Sequence, residues 1–434
     1  MANQNPSTGA GNITKFEITS NKGGKSIDIS GGVQEYRYYE SVMSNHITAT
    51  ATYLETGNDQ DGASKGVLDS LPIRGGEKTQ IQVNDASQEQ NRIELPNGLY
   101  VNRIRNAIPG TQQEMYYIDF ASKEYFLNEQ SRVLKRYEGK ISDNVETILR
   151  DVLKTTGEVD IDETSIEYNF YGNNRKPFYI VTWLASKSVP KKGQGKIGGF
   201  LFFQTRDGLF FKSIDELFGQ ESTKKFIYNN TGETPAEYDA NIVSYSIGSD
   251  IELDQQLIMG AYNNRSIFFD VFNFDYKEIK FDIEEQEGEA ETAGKDYINV
   301  NKEFINNPSR VFNHLMDYGV NPRGSGDEQL SNYKQGTDPI PNFDAQQIMV
   351  QTIMRYNQMF TVQTNIVIPG DFSIKAGDIV ECDFPDVESK KERDKNKQTG
   401  GKYMVAHVCH RVTPEETFTS LGLVRDSFGK KGGF

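Results

Sequence analysis

The chain has 434 residues, 36% hydrophobic and 25% charged, with 39 Gly and 14 Pro; it is too apolar and aromatic for disorder and long enough for two or more domains. Lys and Arg number 47 against 62 Asp and Glu, a formal charge of -15, which disfavours a conventional nucleic-acid-binding protein because gripping phosphates needs a basic footprint. The opening MANQNPSTGAGN holds neither a basic region nor an apolar run, and nothing approaches the ~20 apolar residues of a membrane span, so the chain reads as soluble and cytoplasmically made.

After a polar tail, the first part of the chain reads as short strands separated by turns. The clearest is Ile47 to Tyr53, where Ile47, Ala49, Ala51 and Tyr53 fall on one face and Thr48, Thr50 and Thr52 on the other, the period-2 mark of a half-buried sheet. Similar alternation runs through Phe16 to Thr19, Ser26 to Ser30, Thr79 to Val83, Leu99 to Ile104 and Met115 to Phe120. Turns are marked by Gly23-Gly24, Gly31-Gly32, Gly75-Gly76 and Asn97-Gly98. A small antiparallel barrel or sandwich follows over residues 1–121.

Near residue 122 the period changes. In Ser142 to Lys154, residues Val145, Ile148, Leu149, Val152 and Leu153 recur at helical spacing; Asp143 and Glu146 form a capping box and Gly157 lies just beyond the end. A second helix begins at Pro177, carries Ile180, Val181, Trp183 and Leu184, and ends before Pro190. Phe200 to Thr205 and Leu209 to Ser213 then form a hairpin in which Asp207-Gly208 supplies the positive backbone angles. Residues 122–222 are expected as an α+β domain.

Strand signals resume in Phe226 to Tyr228 and Ile242 to Ile247. Glu284 to Lys295 and Gly319 to Pro341 read as solvated loops, and between them Asn307-Pro308 opens a short helix through Met316. Residues 260–341 are expected as an inserted subdomain. A helix at Ala345 to Gln358 leads into strands Thr361 to Ile368, Asp378 to Phe384, Tyr403 to Val412 and Phe418 to Arg425, with Asp386 to Gly401 an exposed excursion. Residues 223–259 and 342–426 thus make a second β unit, followed by a tail at 427–434. No sequence repeat links the two β units.

Candidate chemistry is sparse. Gly193, Gly195 and Gly198 match G-x-G-x-x-G, but they follow a helix and precede a strand, the reverse of a dinucleotide site, and read as a loop. His407, Cys409 and His410 have metal-ligand chemistry, yet residues three apart on a strand face opposite ways, and His46 and His314 are distant. Asp59, Asp61 and Gly62 lack the first and twelfth acids of a calcium loop. Cys382 and Cys409 read as ordinary buried thiols. No nucleophile elbow, H-E-x-x-H or phosphate loop occurs. Glu35-Tyr36-Arg37-Tyr38-Tyr39-Glu40 reads as a strand buried on one face and meeting a neighbour on the other, rather than a stacking platform. No residue is given a catalytic, cofactor-binding or metal role, and no cofactor is expected.

Three stretches carry a resemblance. The first is Ile27 to Glu40 with the threonine-alternating strand ending at Glu55. The second is the helix at 142–154, Pro177 to Ala185 and GGFLFFQTRDGLFFKS, Gly198 to Ser213. The third is Phe372 to Val380, Lys402 to Val412 and Thr417 to Arg425. Together they resemble the baseplate central hub proteins of contractile-tailed, T-even-like phages and the late-control hub proteins, which are similar to the hub part of type VI secretion spikes. The resemblance spans Ile13 to Arg425.

That resemblance implies a β-rich α+β multidomain fold: two small antiparallel β-barrel tube domains, an intervening α+β domain and an insertion in the second barrel. It implies a virion protein of the tail baseplate, assembled in the host bacterial cytoplasm. Three copies would form a ring whose six barrels match one layer of the tail tube while meeting a threefold spike, and DNA would pass through as cargo. Partners would be a homotrimer, a separate trimeric spike protein, the tail tube protein, and tape-measure and baseplate wedge proteins, with no membrane binding. Nothing like a spike follows residue 425 here, hence a separate spike chain. An acidic lumen would let a polyanion slide. The protein is read as structural and not an enzyme; the alternatives are a tail-associated peptidoglycan or polysaccharide hydrolase, or a carbohydrate-binding adhesin module using the tyrosines near residue 38.

Overall fold

The computed structural model describes residues 9–56, 71, 73–84, 92–95, 97–108, 113–165, 167–191, 198–229, 234–248, 253–270, 274–282, 290–295, 300–315, 331, 334–335, 345–385 and 398–430. The segment carrying Asp59, Asp61 and Gly62, the glycines at 193 and 195, most of 319–341 and the excursion at 386–397 lie outside them.

The first part of the chain forms β1 (Asn12–Thr19), β2 (Ser26–Asp28), β3 (Val33–Ser41), β4 (Thr48–Glu55), β5 (Lys78–Asn84), β6 (Arg92–Glu94), β7 (Leu99–Ile108) and β8 (Glu114–Ser122). The alternation predicted for β4 holds: Ala49, Ala51 and Tyr53 are buried and the three threonines face out. The inward side chains meet around Phe16, whose ring lies 5.9 Å from Tyr36, edge to face, and 5.7 Å from Phe120. Each such buried aromatic contributes roughly 1.5–3 kcal/mol of transfer energy.

The middle part holds α1 (Lys123–Gln130), β9 (Arg136–Tyr137), α2 (Ile141–Thr147), β10 (Glu158–Ile161), β11 (Phe170–Tyr171), α3 (Pro177–Ala185), β12 (Phe200–Thr205), β13 (Gly208–Ser213) and α4 (Ile214–Gly219). The capping box predicted for α2 does not form. Its N-cap is Lys140, Asp143 sits inside the first turn and accepts from the Ser142 hydroxyl at 3.1 Å, and the helix continues as a π turn over Ile148–Val152. It closes at Lys154, φ +58°, instead of at Gly157. Strand β12 is buried on both faces: Phe200 and Phe202 enter the core of this part, and Leu201 and Phe203 enter a second core with Met404 and Val424. Strict side-chain alternation thus ties the middle part to the end of the chain.

The remainder forms β14 (Lys224–Ile227), β15 (Ala240–Asn241), β16 (Ser244–Gly248), α5 (Leu253–Met259), β17 (Asn263–Asp270), β18 (Asp275–Asp282), α6 (Lys302–Ile305), β19 (Arg310–Leu315), α7 (Ala345–Gln358), β20 (Val362–Pro369), β21 (Ile379–Asp383), β22 (Gly401–Val412) and β23 (Thr417–Arg425). The helix predicted from Asn307-Pro308 is instead the strand β19, which pairs in parallel with β17. A neighbouring strand outweighs a weak local helix signal there.

Strand order reveals a repetition that the residues conceal. The first half reads β3-β4-β8-β7-β5-β1-β2 and the second β16-β20-β23-β22-β21-β14-β15. With β6 set aside as an extra hairpin strand and β17–β19 as an insertion between β16 and β20, the two orders are the same. The four pairings from β3 to β5 and their counterparts from β16 to β21 are all antiparallel. They diverge at the far edge, where β1 pairs antiparallel with β5 but β14 pairs in parallel with β21. Neither half closes into the separate barrel that was expected: among the described residues, hydrogen bonding joins both into one branched 15-stranded sheet. The reason is local, since β3 spends its outer edge on β22 of the other half.

The hairpin between β12 and β13 refines one further expectation. Thr205 pairs with Gly208, so Arg206 and Asp207 make the turn; neither has a positive φ, and of the Asp-Gly pair only Gly208 does, at +157°. Gly208 is required for a second reason: a Cβ there would lie 2.4 Å from the Glu158 carbonyl oxygen of β10. Gly208→Ala should therefore lower stability by about 2–4 kcal/mol in urea titration, whereas Gly31→Ala, with nothing within 4 Å of its Cβ, should stay within about 0.5 kcal/mol.

Candidate interaction surface and the junction beneath it

Strand β22 serves both halves. Up to Met404 one edge pairs with β21, and from His407 to Val412 the same edge pairs with β3, His407 opposite Ser41 and Val412 opposite Tyr36. Between these stretches the register against β23 shifts: Val405 faces Leu423 and His407 faces Gly422, leaving Ala406 as a bulge residue. The Ala406 carbonyl accepts from the Val42 N–H at 2.9 Å. Val412 and Phe372, both from the second half, complete the core of the first.

Beneath this seam lies Glu40, 3% exposed. Its Oε1 accepts from the Tyr38 hydroxyl at 2.7 Å and the Arg206 backbone N–H at 2.9 Å; Oε2 accepts from the Ala376 N–H at 3.0 Å. One carboxylate thereby fastens β3, the β12–β13 turn and the loop before β21. Burial raises its carboxyl above the usual range, against the hydrogen bonds it accepts and the Arg206 charge. The Arg206 guanidinium donates to the Ser373 carbonyl at 3.0 Å. His410 stacks on Tyr38 at 6.0 Å, with Nδ1 2.9 Å from the Thr419 hydroxyl and Nε2 3.3 Å from the Ile374 carbonyl. Burial pushes this imidazole down to about 3, so it is neutral at physiological pH, Nε2–H donating to the carbonyl.

A second buried node clamps the far side. Arg355 of α7 is 1% exposed. Its Nε donates to Asp215 Oδ1 at 3.0 Å, Nη1 to Asp426 Oδ2 at 2.5 Å and Nη2 to the Glu291 carbonyl at 2.5 Å. Asp426 also accepts from the Ala293 N–H at 2.9 Å. The guanidinium covers the Phe218 ring at 5.2 Å. Burial pushes Asp215 up to about 6, with Arg355 opposing and Asp426 reinforcing the rise.

Outward from the seam, the sheet presents a broad face running from β16 through β20, β23, β22 and β3 to β4. It is concave over a volume of about 630 Å³ lined by Ser244, Ser246, Asn365, Ser420, His407 and Thr48 among others. Glu40 lies at its floor, and the charged side chains described around it are paired: Arg411 meets Glu35 at 2.6 Å and Glu416 at 3.3 Å, Arg37 meets Glu35 at 3.1 Å, and Arg105 meets Asp119 at 3.1 Å. Exposed pairs like these add little stability; the hollow between them mixes hydroxyl and amide groups with apolar ones, among them Tyr39, Tyr245, Val367 and Leu421.

The residues singled out in the sequence do not converge. His407 faces solvent and His410 the interior, as strand geometry required; His46 stacks on Tyr125 at 4.4 Å and His314 on Phe268 at 4.9 Å. Among the described residues no three His, Cys, Asp or Glu side chains could hold a metal ion. Cys382 is buried and Cys409 half-buried; burial pushes both thiols up. The segment Glu35 to Glu40 is a strand buried on one side: Tyr36 and Tyr38 are 0% exposed, which removes Tyr38 from any sugar-stacking role. The groups that matter most, Glu40, Arg206, Asp215, Arg355 and Asp426, carry no motif; the contacts that join them to other segments span 64 to 336 residues.

No family model and no curated protein matches this sequence. Solved structures do. Over 96% of this chain and 97% of the other, the fold superposes on the tail protein from Neisseria meningitidis MC58 with a TM-score of 0.52 at 9% identity. The 43 kDa tail protein of prophage MuSo2 from Shewanella oneidensis gives 0.52 at 9% identity, over 95% and 98%. The chain has the fold of a phage tail protein. A weaker likeness, TM-score 0.40 at 8% identity over 98% of this chain and 79% of the other, is to the E. coli c3393 protein, a type VI secretion component described as similar to T4 tail proteins gp27 and gp5.

Within this tail-protein fold, burial raises the carboxyls of Glu40 and Asp215 alike, so the stability each contributes is lost in the same direction, as pH rises. Glu40→Gln keeps an acceptor for Tyr38 and Arg206 but turns an amide toward the Ala376 N–H, so it should cost about 1–3 kcal/mol, and Glu40→Ala more, by urea midpoint at pH 7. Asp215 has a folded pKa above its unfolded value, so its contribution is fully present below the unfolded value and is lost as pH rises through about 6. The stability difference between wild type and Asp215→Asn should therefore move by roughly 1–3 kcal/mol toward wild type as pH falls from 7 to 4, while a flat difference would mean that Asp215 titrates normally.

Proposed function

We propose that the protein is a structural hub of a phage tail baseplate: a homotrimeric ring joining the sixfold tail tube to a threefold spike, with the channel for DNA at its centre. The observation that carries this reading is the internal repetition. One chain contributes two copies of the same seven-strand arrangement, joined edge to edge at β3 and β22, so three chains supply six. A sixfold tube can rest on such a ring while the ring's chains keep threefold symmetry.

In this reading residues 1–121 and 223–259 with 342–426 are the two tube domains, 122–222 the intervening domain and 260–341 the insertion. Each half would close in the ring by borrowing a neighbour's strand instead of by pairing with itself, which accounts for the open ladders. The concave face would line the channel. Its cations are paired with carboxylates, so it would offer a passing polyanion little net positive charge to hold it. A separate spike, the tube protein, tape-measure and wedge proteins are the partners this role requires, and the virion tail is where it acts.

Mass photometry of the purified chain, alone and with its spike, should give the mass of three copies, and electron microscopy a collar with a central hole. A single copy at micromolar concentration in both conditions would refute the reading.

A further inference from the structure

The seam inside one chain is a template for a seam between chains. The counterpart of β22 in the first half is β7, and the two share a fine detail. In β22 the bulge falls at Ala406, between Val405 opposite Leu423 and His407 opposite Gly422; in β7 it falls at Asn102, between Val101 opposite Phe120 and Arg103 opposite Asp119. Before the bulge, β22 pairs with β21 and β7 with the matching strand β5, through Leu99 and Tyr100. Past the bulge β22 pairs with β3, whereas among the described residues nothing occupies that edge of β7. The counterpart of β3 is β16, whose outer edge is likewise unpaired among the described residues. Each half thus has one spare edge, β7 in the first and β16 in the second, the counterparts of the two strands that meet in the internal seam.

The geometry points to head-to-tail pairing of β16 of one copy with the Arg103–Asn106 stretch of β7 in the next, in the register of the internal seam. That register follows from matched partners. Tyr38 pairs with Ala49, which faces Phe120; Ile247 pairs with Thr364, which faces Leu423. Phe120 and Leu423 face the matched residues Val101 and Val405. Tyr38 therefore corresponds to Ile247 and Tyr39 to Gly248. Since His410 pairs with Tyr38 and Cys409 with Tyr39, Asn106 pairs with Ile247 and Arg105 with Gly248 of the neighbour. A second register shift, between Asn106 and Ile108, limits the match to this stretch.

Past the second shift Ile108 faces Met115, the counterpart of Phe418, so it stands where β22 has Arg411, and it is 57% exposed. An open apolar side chain at a spare sheet edge is covered when a second copy pairs there. Such an interface is heterologous, so it closes on itself only if the rotation it imposes completes a turn.

The inference rests on the ring reading for the number of copies but not for the pairing, and cross-linking separates the two. Opposed residues on paired strands have Cβ atoms ~5 Å apart, within reach of oxidative cross-linking. Room exists for the new side chain at 248, where an added Cβ finds nothing nearer than 3.6 Å. Tyr39→Cys, facing native Cys409 across the internal seam, is the positive control and should cross-link within one chain. The double variant Arg105→Cys/Gly248→Cys should form covalent multimers in full-length protein, and closure should stop the ladder at three. Either single variant should stay uncross-linked through the new cysteine. An assembled trimer in which the double variant gives no covalent product overturns the strand pairing and leaves the ring reading standing. A ladder running past three keeps the pairing and refutes the ring. Dimers of Gly248→Cys alone mean that β16 pairs with itself and overturn the inference.

Discussion

The organisation of this protein depends on one strand that belongs to two sheets. β22 is long enough, at 12 residues, to pair with its own half and then, past the Ala406 bulge, with the other half. Without the bulge the strand would carry its register unbroken along β21 and β23. With it, the second stretch turns toward β3, and Val412 reaches a core it does not otherwise belong to. A bulge costs one ladder position and redirects six residues; here it converts two similar half sheets into a continuous one.

That conversion explains where the buried charge sits. Joining two sheets and a middle domain along one line leaves backbone donors from two segments facing inward, and one carboxylate satisfies both. Among the described residues Glu40 has no cationic side chain in hydrogen-bond contact; it is held by two backbone N–H groups and a phenol. Three accepted hydrogen bonds oppose the desolvation, which still raises the carboxyl above its usual range. Arg355 performs the reverse duty at the other side, a cation surrounded by two carboxylates and a carbonyl. Both nodes tie segments remote in sequence, so they fix relative placement instead of local shape.

The fold was legible where the signal is local and the candidate site was not. Alternation in Ile47 to Tyr53 and the helix start at Pro177 with Ile180, Val181 and Leu184 announced β4 and α3, because those side chains choose faces within their own element. The capping box at Asp143 failed because backbone geometry moved the N-cap to Lys140, which a spacing rule does not see. The strand at Arg310–Leu315 was hidden behind Asn307-Pro308, since its pairing with β17 spans more than forty residues. The internal repetition escaped notice for a deeper reason. Topology and the bulge position are set by hydrogen-bond register, and very different side chains serve it: Tyr38 stands where the other half has Ile247, and Ala49 where it has Thr364. Glu40 looked like the acidic end of an aromatic strand; only its three partners reveal what it does.

The continuity of the sheet across β3 and β22 is tested most directly by hydrogen–deuterium exchange of the full-length protein. If the seam belongs to the stable core, the inter-strand amides of Tyr36–Ser41 and His407–Val412 exchange as slowly as those of β4 and β23, and only through global unfolding. Rapid exchange confined to those two stretches, with the flanking strands still protected, would mean that the halves part readily and that the seam does not hold the molecule together.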